Sequence, residues 1–262
     1  MTKAYIIEAK RTPVGKARGS LSKTRGDDLL IHSIQSVFSA LSNGDEVKSN
    51  IDDVIVGCAM PEGPQGLNVA RIATLLAGLP DTTPAYTLNR FCASGLQAVA
   101  NAAEMIKSGS ADLVIAAGVE SMSTVPMMGF KPSVNPKVTA EDENIAIAFG
   151  MGLTAEKVAD KYNISREDQD AFALESHKRA LKANEEGLFA DEIAPITTTE
   201  SVYSLETKEY SVKTNVVSQD EGPREGSNIE ALGKLRTVFA QEGSVTAATS
   251  SQMSDGAGAV LI

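Results

Sequence analysis

The sequence predicts an α/β fold: a parallel sheet covered by helices and interrupted by an inserted, mainly helical subdomain. Three observations point to it. Short apolar runs alternate with amphipathic stretches through the first 118 residues. The middle of the chain loses that alternation and turns acidic. Beyond residue 244 the sequence becomes apolar and β-compatible again. Strand and helix signals alternating at this spacing are those of parallel strands joined by covering helices.

The apolar runs at 4–7, 54–57, 85–88 and 113–118 read as buried strands. Between them, 27–41, 68–77 and 93–107 each support an amphipathic helix. In the third of these, Leu96, Val99, Ala103 and Ile106 form an apolar stripe and Gly109 supplies the stop. Further on, 154–162 and 165–186 read as helices. The second opens on Ser165, has Asp168 three residues later, and closes at Gly187. Residues 195–220 suit irregular or antiparallel β structure, and 244–248 and 257–262 suit strands that rejoin the first sheet. The expected division is therefore a core of 1–118 and 245–262 with a subdomain of 119–244 set into it.

Composition narrows the function classes. Of 262 residues, 34 are acidic and 24 basic, for a net charge of −10. An acidic balance argues against a chain that grips nucleic acid through its overall charge. The charge is uneven: 1–118 is neutral, whereas 119–244 holds 22 acidic and 13 basic side chains. No segment reaches the ~18–20 apolar residues of a membrane helix, and Met1 to Ile7 leads directly into Glu8, Lys10 and Arg11, unlike a signal peptide. Two cysteines, Cys58 and Cys92, build neither a disulfide framework nor a zinc site alone, which suits a reducing, cytoplasmic setting. P-loop, dinucleotide and His-Glu-x-x-His motifs are missing, so metal and nucleotide chemistry have no motif behind them.

Cys92 is the residue placed for chemistry. It falls where the 85–88 strand turns into a helix, a position whose free N–H groups and dipole favour a thiolate. Ala93, Ser94 and Gly95 keep the approach narrow, and the Cys92 N–H itself could donate to an oxyanion. Cys58, at the end of the second strand, reads as core packing. His32 and His177 read as structural or surface residues.

The stretch Asn89-Arg90-Phe91-Cys92-Ala93-Ser94-Gly95 resembles the nucleophile motif of thiolases, the acyl-CoA C-acyltransferases. Similar motifs run through the chain in family order. Among them are Glu8-Ala9-Lys10-Arg11-Thr12-Pro13, Gly118-Val119-Glu120-Ser121-Met122-Ser123, Met151-Gly152-Leu153-Thr154-Ala155-Glu156, and Gly243-Ser244-Val245-Thr246-Ala247 followed by Ser254-Asp255-Gly256-Ala257. Glu62-Gly63 and Arg90-Phe91 are more similar to degradative 3-ketoacyl-CoA thiolases than to biosynthetic ones.

The resemblance implies a thiolase-type parallel or mixed sheet with a loop subdomain. It also implies cleavage of 3-ketoacyl-CoA, or the reverse condensation, through an acyl thioester on Cys92. Coenzyme A would be a co-substrate, with no permanently bound cofactor. Met151 would lie beside the pantetheine and Arg224 near the nucleotide end, with Leu235, Phe239, Ala247, Ser250 and Ser251 along the channel. Arg224, Lys234 and Arg236 form a basic cluster that suits a phosphate, although Lys234 and Arg236 read better as ordinary surface charge. Ala231 stands where some family members carry a serine that touches coenzyme A. Implied partners are acyl-CoA thioesters, a second copy in a homodimer or homotetramer, and the hydratase and dehydrogenase of β-oxidation.

The family's histidine base and second cysteine come from Asn-Glu-Ala-Phe, Gly-His-Pro and Cys-x-Gly motifs, none of which occurs in these residues. The chain is therefore expected to be the first half of a thiolase with its loop domain, inactive alone. The competing reading is a non-catalytic acyl-CoA-binding or interaction module derived from such a half.

Overall fold

The computed structural model describes residues 3–142 and 144–262. In chain order these form β1 (Glu8–Arg11), β2 (Gly15–Lys16), α1 (Gly26–Ser39), α2 (Gly44–Ser49), β3 (Asp53–Gly57), α3 (Val69–Leu76), β4 (Ala85–Leu88), α4 (Ser94–Ser108) and β5 (Val114–Ser121). There follow α5 (Lys137–Ala140), α6 (Met151–Tyr162), α7 (Arg166–Glu185), the hairpin β6 (Ile196–Tyr203) and β7 (Tyr210–Val217), α8 (Ile229–Gly233) and β8 (Ser254–Leu261). No helix among the described residues is long and apolar enough to cross a membrane.

The main sheet is mixed, in the order β1-β8-β5-β3-β4 with β2 also on β8. β3 runs parallel to both β4 and β5, whereas β8 is antiparallel to β1, β2 and β5. The late strand thus sits inside the sheet, pairing Ala116 with Val260 on one side and Ala9 with the same residue on the other. Alternation along the strands divides the core in two. Val54, Val56, Ile115, Ala117, Ala259 and Leu261 face α1 and α3, while Ile55, Val114 and Ala116 face α4.

Local signals set the helix ends as expected. Asn68 caps α3 by accepting from the Arg71 N–H, Ser165 caps α7 by accepting from the Asp168 N–H, and Gly109 closes α4 in the left-handed region.

Three expectations about elements are corrected. Residues 4–7 are not a buried strand; Tyr5 and Ile6 are 66% and 64% exposed, and the ladder begins at Glu8 opposite Leu261. That register leaves no β8 residue across from Tyr5 or Ile6. The α4 stripe is met in part: Val99 and Ile106 pack against the core, but the fully buried positions are Ser94, Ala98 and Ala102, and Leu96 is 74% exposed. At its N-terminal end the helix lies too close to the sheet for large side chains, since a Cβ added to Gly57 would fall 2.5 Å from the Ser94 carbonyl carbon. Residues 244–248 form a turn with one isolated bridge, Thr237 to Thr246, because side chains rather than a neighbouring strand take up the N–H groups there.

The compact units also fall elsewhere than expected. Unit 1 comprises Met1–Phe130, Phe189–Gly222 and Met253–Ile262; unit 2 comprises Lys131–Leu188 and Pro223–Gln252. The segment 189–222 belongs with the sheet for a visible reason. The Arg11 guanidinium on β1 holds Glu192 at 2.7 Å and grips Asp220 through both oxygens, and it stacks over Phe189. Ile196 and Val217 close the hairpin onto the core. Redrawing the boundary moves the charge. Unit 2 carries 14 acidic and 11 basic side chains, and unit 1 carries 20 and 13. Most of the negative charge therefore belongs to the sheet unit, not to the helical one.

Candidate active site

In unit 1, β4 delivers the chain to a tight elbow before α4. Phe91 is held at φ +47°, a left-handed conformation that costs a non-glycine residue about 1–3 kcal/mol and persists only where its surroundings enforce it. Here the enforcement is visible. The Phe91 N–H donates to Asn89 Oδ1 at 2.8 Å, and Ser94 Oγ donates to the Phe91 carbonyl at 2.6 Å while accepting from the Arg90 N–H at 2.8 Å. Asn89 is itself anchored, its Nδ2 donating to the Ala59 carbonyl at 2.8 Å. The result presents Cys92 exposed, one residue before the Ala93 cap of α4. The Cys92 N–H, the expected oxyanion donor, takes part in none of these bonds.

The floor beneath the elbow is a second network. Glu120, on β5, accepts from the Ala59 N–H at 2.7 Å and from Gln65 Nε2 at 2.5 Å, and Gln65 Oε1 accepts from the Ser121 N–H. Cys58 lies in this layer, 1% exposed. Burial, with the Glu120 charge added, pushes its thiol up to about 12. It is a core residue, as its sequence context indicated. His32 faces the Ala194 carbonyl through Nε2 at 3.3 Å.

Unit 2 gathers several of the residues expected to meet coenzyme A. α6 and the 244–251 turn border an apolar cleft of about 370 Å³ lined by Met151, Val158, Ile164, Val245 and Thr249. The Phe239 ring packs against Gly152, next to Met151. Ser250 Oγ donates to the Thr246 carbonyl at 2.7 Å, and Ala247 and Ser251 are exposed on the same turn. Glu156 holds the start of the turn, accepting from the Ser244 and Val245 N–H groups at 2.8 and 3.0 Å. Burial alone would raise its carboxyl, but these bonds outweigh it and hold the group below the usual carboxylate range.

Leu235 and Arg224 are tied to α7 instead. Arg166 Nη2 donates to the Leu232 and Leu235 carbonyls, and the Arg224 N–H donates to His177 Nδ1 at 3.3 Å. Arg166 and His177 are about 16 Å apart along the helix. The Arg224, Lys234 and Arg236 residues are exposed.

The family model for the thiolase N-terminal domain matches residues 4–262. The chain belongs to the thiolase family. It is 49% identical to the 3-ketoacyl-CoA thiolase of Bacillus subtilis, over all of this chain and 66% of that protein. Human mitochondrial 3-ketoacyl-CoA thiolase, solved in complex with CoA, aligns with a TM-score of 0.82 at 34% identity, over 99% of this chain and 64% of that one. The dimeric peroxisomal thiolase of Saccharomyces cerevisiae aligns at 0.83 with 34% identity, over 99% and 64%. The chain thus spans two thirds or less of these thiolases, and its α/β sheet is the thiolase fold.

Among the residues that shape this candidate site, Asn89, Glu120 and Glu156 stand in family-like motifs, but sequence reasoning gave them no role of their own. Glu156 left a trace: it is an acid three residues before Ala159, on the apolar side of α6. The partner of Asn89, the Ala59 carbonyl, lies 30 residues away and could not be read from spacing.

Proposed function

We propose that this chain carries the nucleophile of an acyl-CoA C-acyltransferase that cleaves 3-ketoacyl-CoA by thiolysis. The observation that carries the reading is Cys92, exposed at an elbow whose strain is enforced by Asn89 and Ser94. Sγ attacks the 3-carbonyl carbon, and the C2–C3 bond breaks. The acyl group stays on sulfur as a thioester, and the departing carbon gains a proton to give acetyl-CoA. A second coenzyme A thiol then takes the acyl group and restores Cys92, so that its proton balances the one delivered to acetyl-CoA. The N-terminal end of α4 favours negative charge close to the reacting carbonyl.

Unit 2 supplies the coenzyme A contacts in this reading. Met151, Phe239 and the 244–251 turn take the pantetheine, and Arg224 takes the phosphate end. The spread of the Leu235 and Arg224 anchors along α7 suits so long a ligand. Thiolysis also needs a base for Cys92 and an acid at carbon 2. Cys58 is buried, and His32 and His177 are engaged with backbone groups. Likeness to a dimeric thiolase supports pairing with a second copy.

Incubating the chain with acetyl-CoA should place one acetyl group on Cys92, seen by intact mass and peptide mapping, without sustained thiolysis. Cys92→Ser should abolish the adduct. Thiolysis that survives Cys92→Ser would remove the proposed nucleophile.

A further inference from the structure

Among the described residues, the turn at 244–251 pairs with a neighbouring segment only at the Thr237–Thr246 bridge, yet it carries three of the residues proposed to meet coenzyme A. Its start is bonded to one carboxylate. Glu156 projects from α6 as a buried carboxylate and accepts three hydrogen bonds from the first two residues of the turn: the Ser244 N–H at 2.8 Å, Ser244 Oγ at 3.2 Å and the Val245 N–H at 3.0 Å. Gln169 Nε2, on α7, donates to the same Ser244 Oγ at 2.8 Å. Gly243 leaves the room, since a Cβ there would collide with the Glu156 carboxylate. Downstream, Thr249 Oγ1 accepts from the Thr246 N–H at 2.9 Å, and Ser250 Oγ closes back on the Thr246 carbonyl. The turn is therefore self-bonded at its far end, bridged to 237–238 at Val245 and Thr246, and clasped by Glu156 at its start.

We propose that Glu156 is the positioning residue of this turn, setting Ala247, Ser250 and Ser251 where coenzyme A is bound. The proposal deepens the functional reading above and rests on it. A carboxylate is suited to the task, because it accepts from two adjacent N–H groups at once and its charge strengthens both bonds. Glu156→Gln keeps one acceptor oxygen but turns an NH2 toward a backbone N–H. Glu156→Ala removes the clasp entirely and leaves the buried Val245 N–H and the part-buried Ser244 N–H unpaired.

The test measures coenzyme A binding by calorimetry for wild type, E156Q, E156A and Q169A, with amide hydrogen exchange at 244–251. In parallel, the reaction of Cys92 with iodoacetamide reports on unit 1, to which none of the clasp residues belongs. E156A should weaken coenzyme A at least tenfold and E156Q less. Q169A, which removes the bonds to Ser244 Oγ and to the Ile164 carbonyl but leaves the two Glu156 bonds to backbone N–H groups, should weaken it about threefold. Exchange should rise at Ser244 and Val245, while alkylation of Cys92 changes by less than twofold. Wild-type affinity in both Glu156 variants, or unchanged exchange at Ser244 and Val245, would overturn the positioning role while leaving the coenzyme A reading intact. Failure of the wild-type chain to bind coenzyme A would overturn both. Equal loss of Cys92 reactivity in E156Q and E156A would show a general folding defect and would also refute the proposal.

Discussion

Cys58 and Cys92 differ because of what surrounds each sulfur. Cys58 is enclosed by the core with Glu120 close by, and its thiol is pushed up to about 12. Cys92 stands in solvent on an elbow tied by side chains. Iodoacetamide at pH 8 should therefore label Cys92 alone in the folded chain and both cysteines in denaturant, as peptide mapping would show. The fold keeps a proton on Cys58 that the unfolded chain loses above about pH 9, so stability should decline as pH rises from there toward 12. Glu156 has the opposite sign. Its carboxyl is held low, so its contribution is present above the ordinary value near 4.5 and is lost as pH falls through the lower folded-state value. Cys92 was legible from sequence because strand, turn and helix signals meet there within a few residues. Its supports were not, since Glu120 and Ala59 are 61 residues apart.

Among the elements, the hairpin β6–β7 shows how one side chain can assign a segment to its unit. Composition placed 189–222 with the acidic helical stretch, but Arg11 binds both of its ends, at Glu192 and Asp220. Removing that guanidinium leaves Asp220 with only the Val14 N–H at 2.8 Å. Arg11→Ala should cost about 1.5–3 kcal/mol, the range for hydrogen bonds to charged groups. Urea denaturation would measure the loss, and cleavage by a protease should quicken within 189–222. The helix α4 carries a related lesson. Its period was correct and Val99 and Ile106 pack against the core, yet the fully buried positions are Ser94, Ala98 and Ala102, and close approach to the sheet at Gly57 selects small side chains at the start of the helix.

At the scale of the whole chain, β8 decides the sheet. It joins residues 8–11 to 258–261 and 115–121 to 255–261, so the core of unit 1 closes only when the two ends of the described chain meet. Pairings of such long range close slowly, since loop entropy must be overcome before they form. Leu261 is fully buried between β1 and β5, and Leu261→Ala should cost about 2–5 kcal/mol by chemical denaturation, from lost burial and the cavity left behind. The charge map changes at this scale too, because the sheet unit rather than the helical one carries most of the net negative charge. By itself the sequence determined the placement of Cys92 between a strand and a helix, the helix limits at Asn68, Ser165 and Gly109, and the thiolase kinship, all of which reside in short contiguous signals. Only the tertiary structure decided the antiparallel insertion of β8, the face that α4 buries, the unit that owns 189–222, and the clasp of Glu156 on Ser244. Each of those depends on groups brought together from distant parts of the chain, where packing space and unpaired N–H groups, not local propensity, select the arrangement.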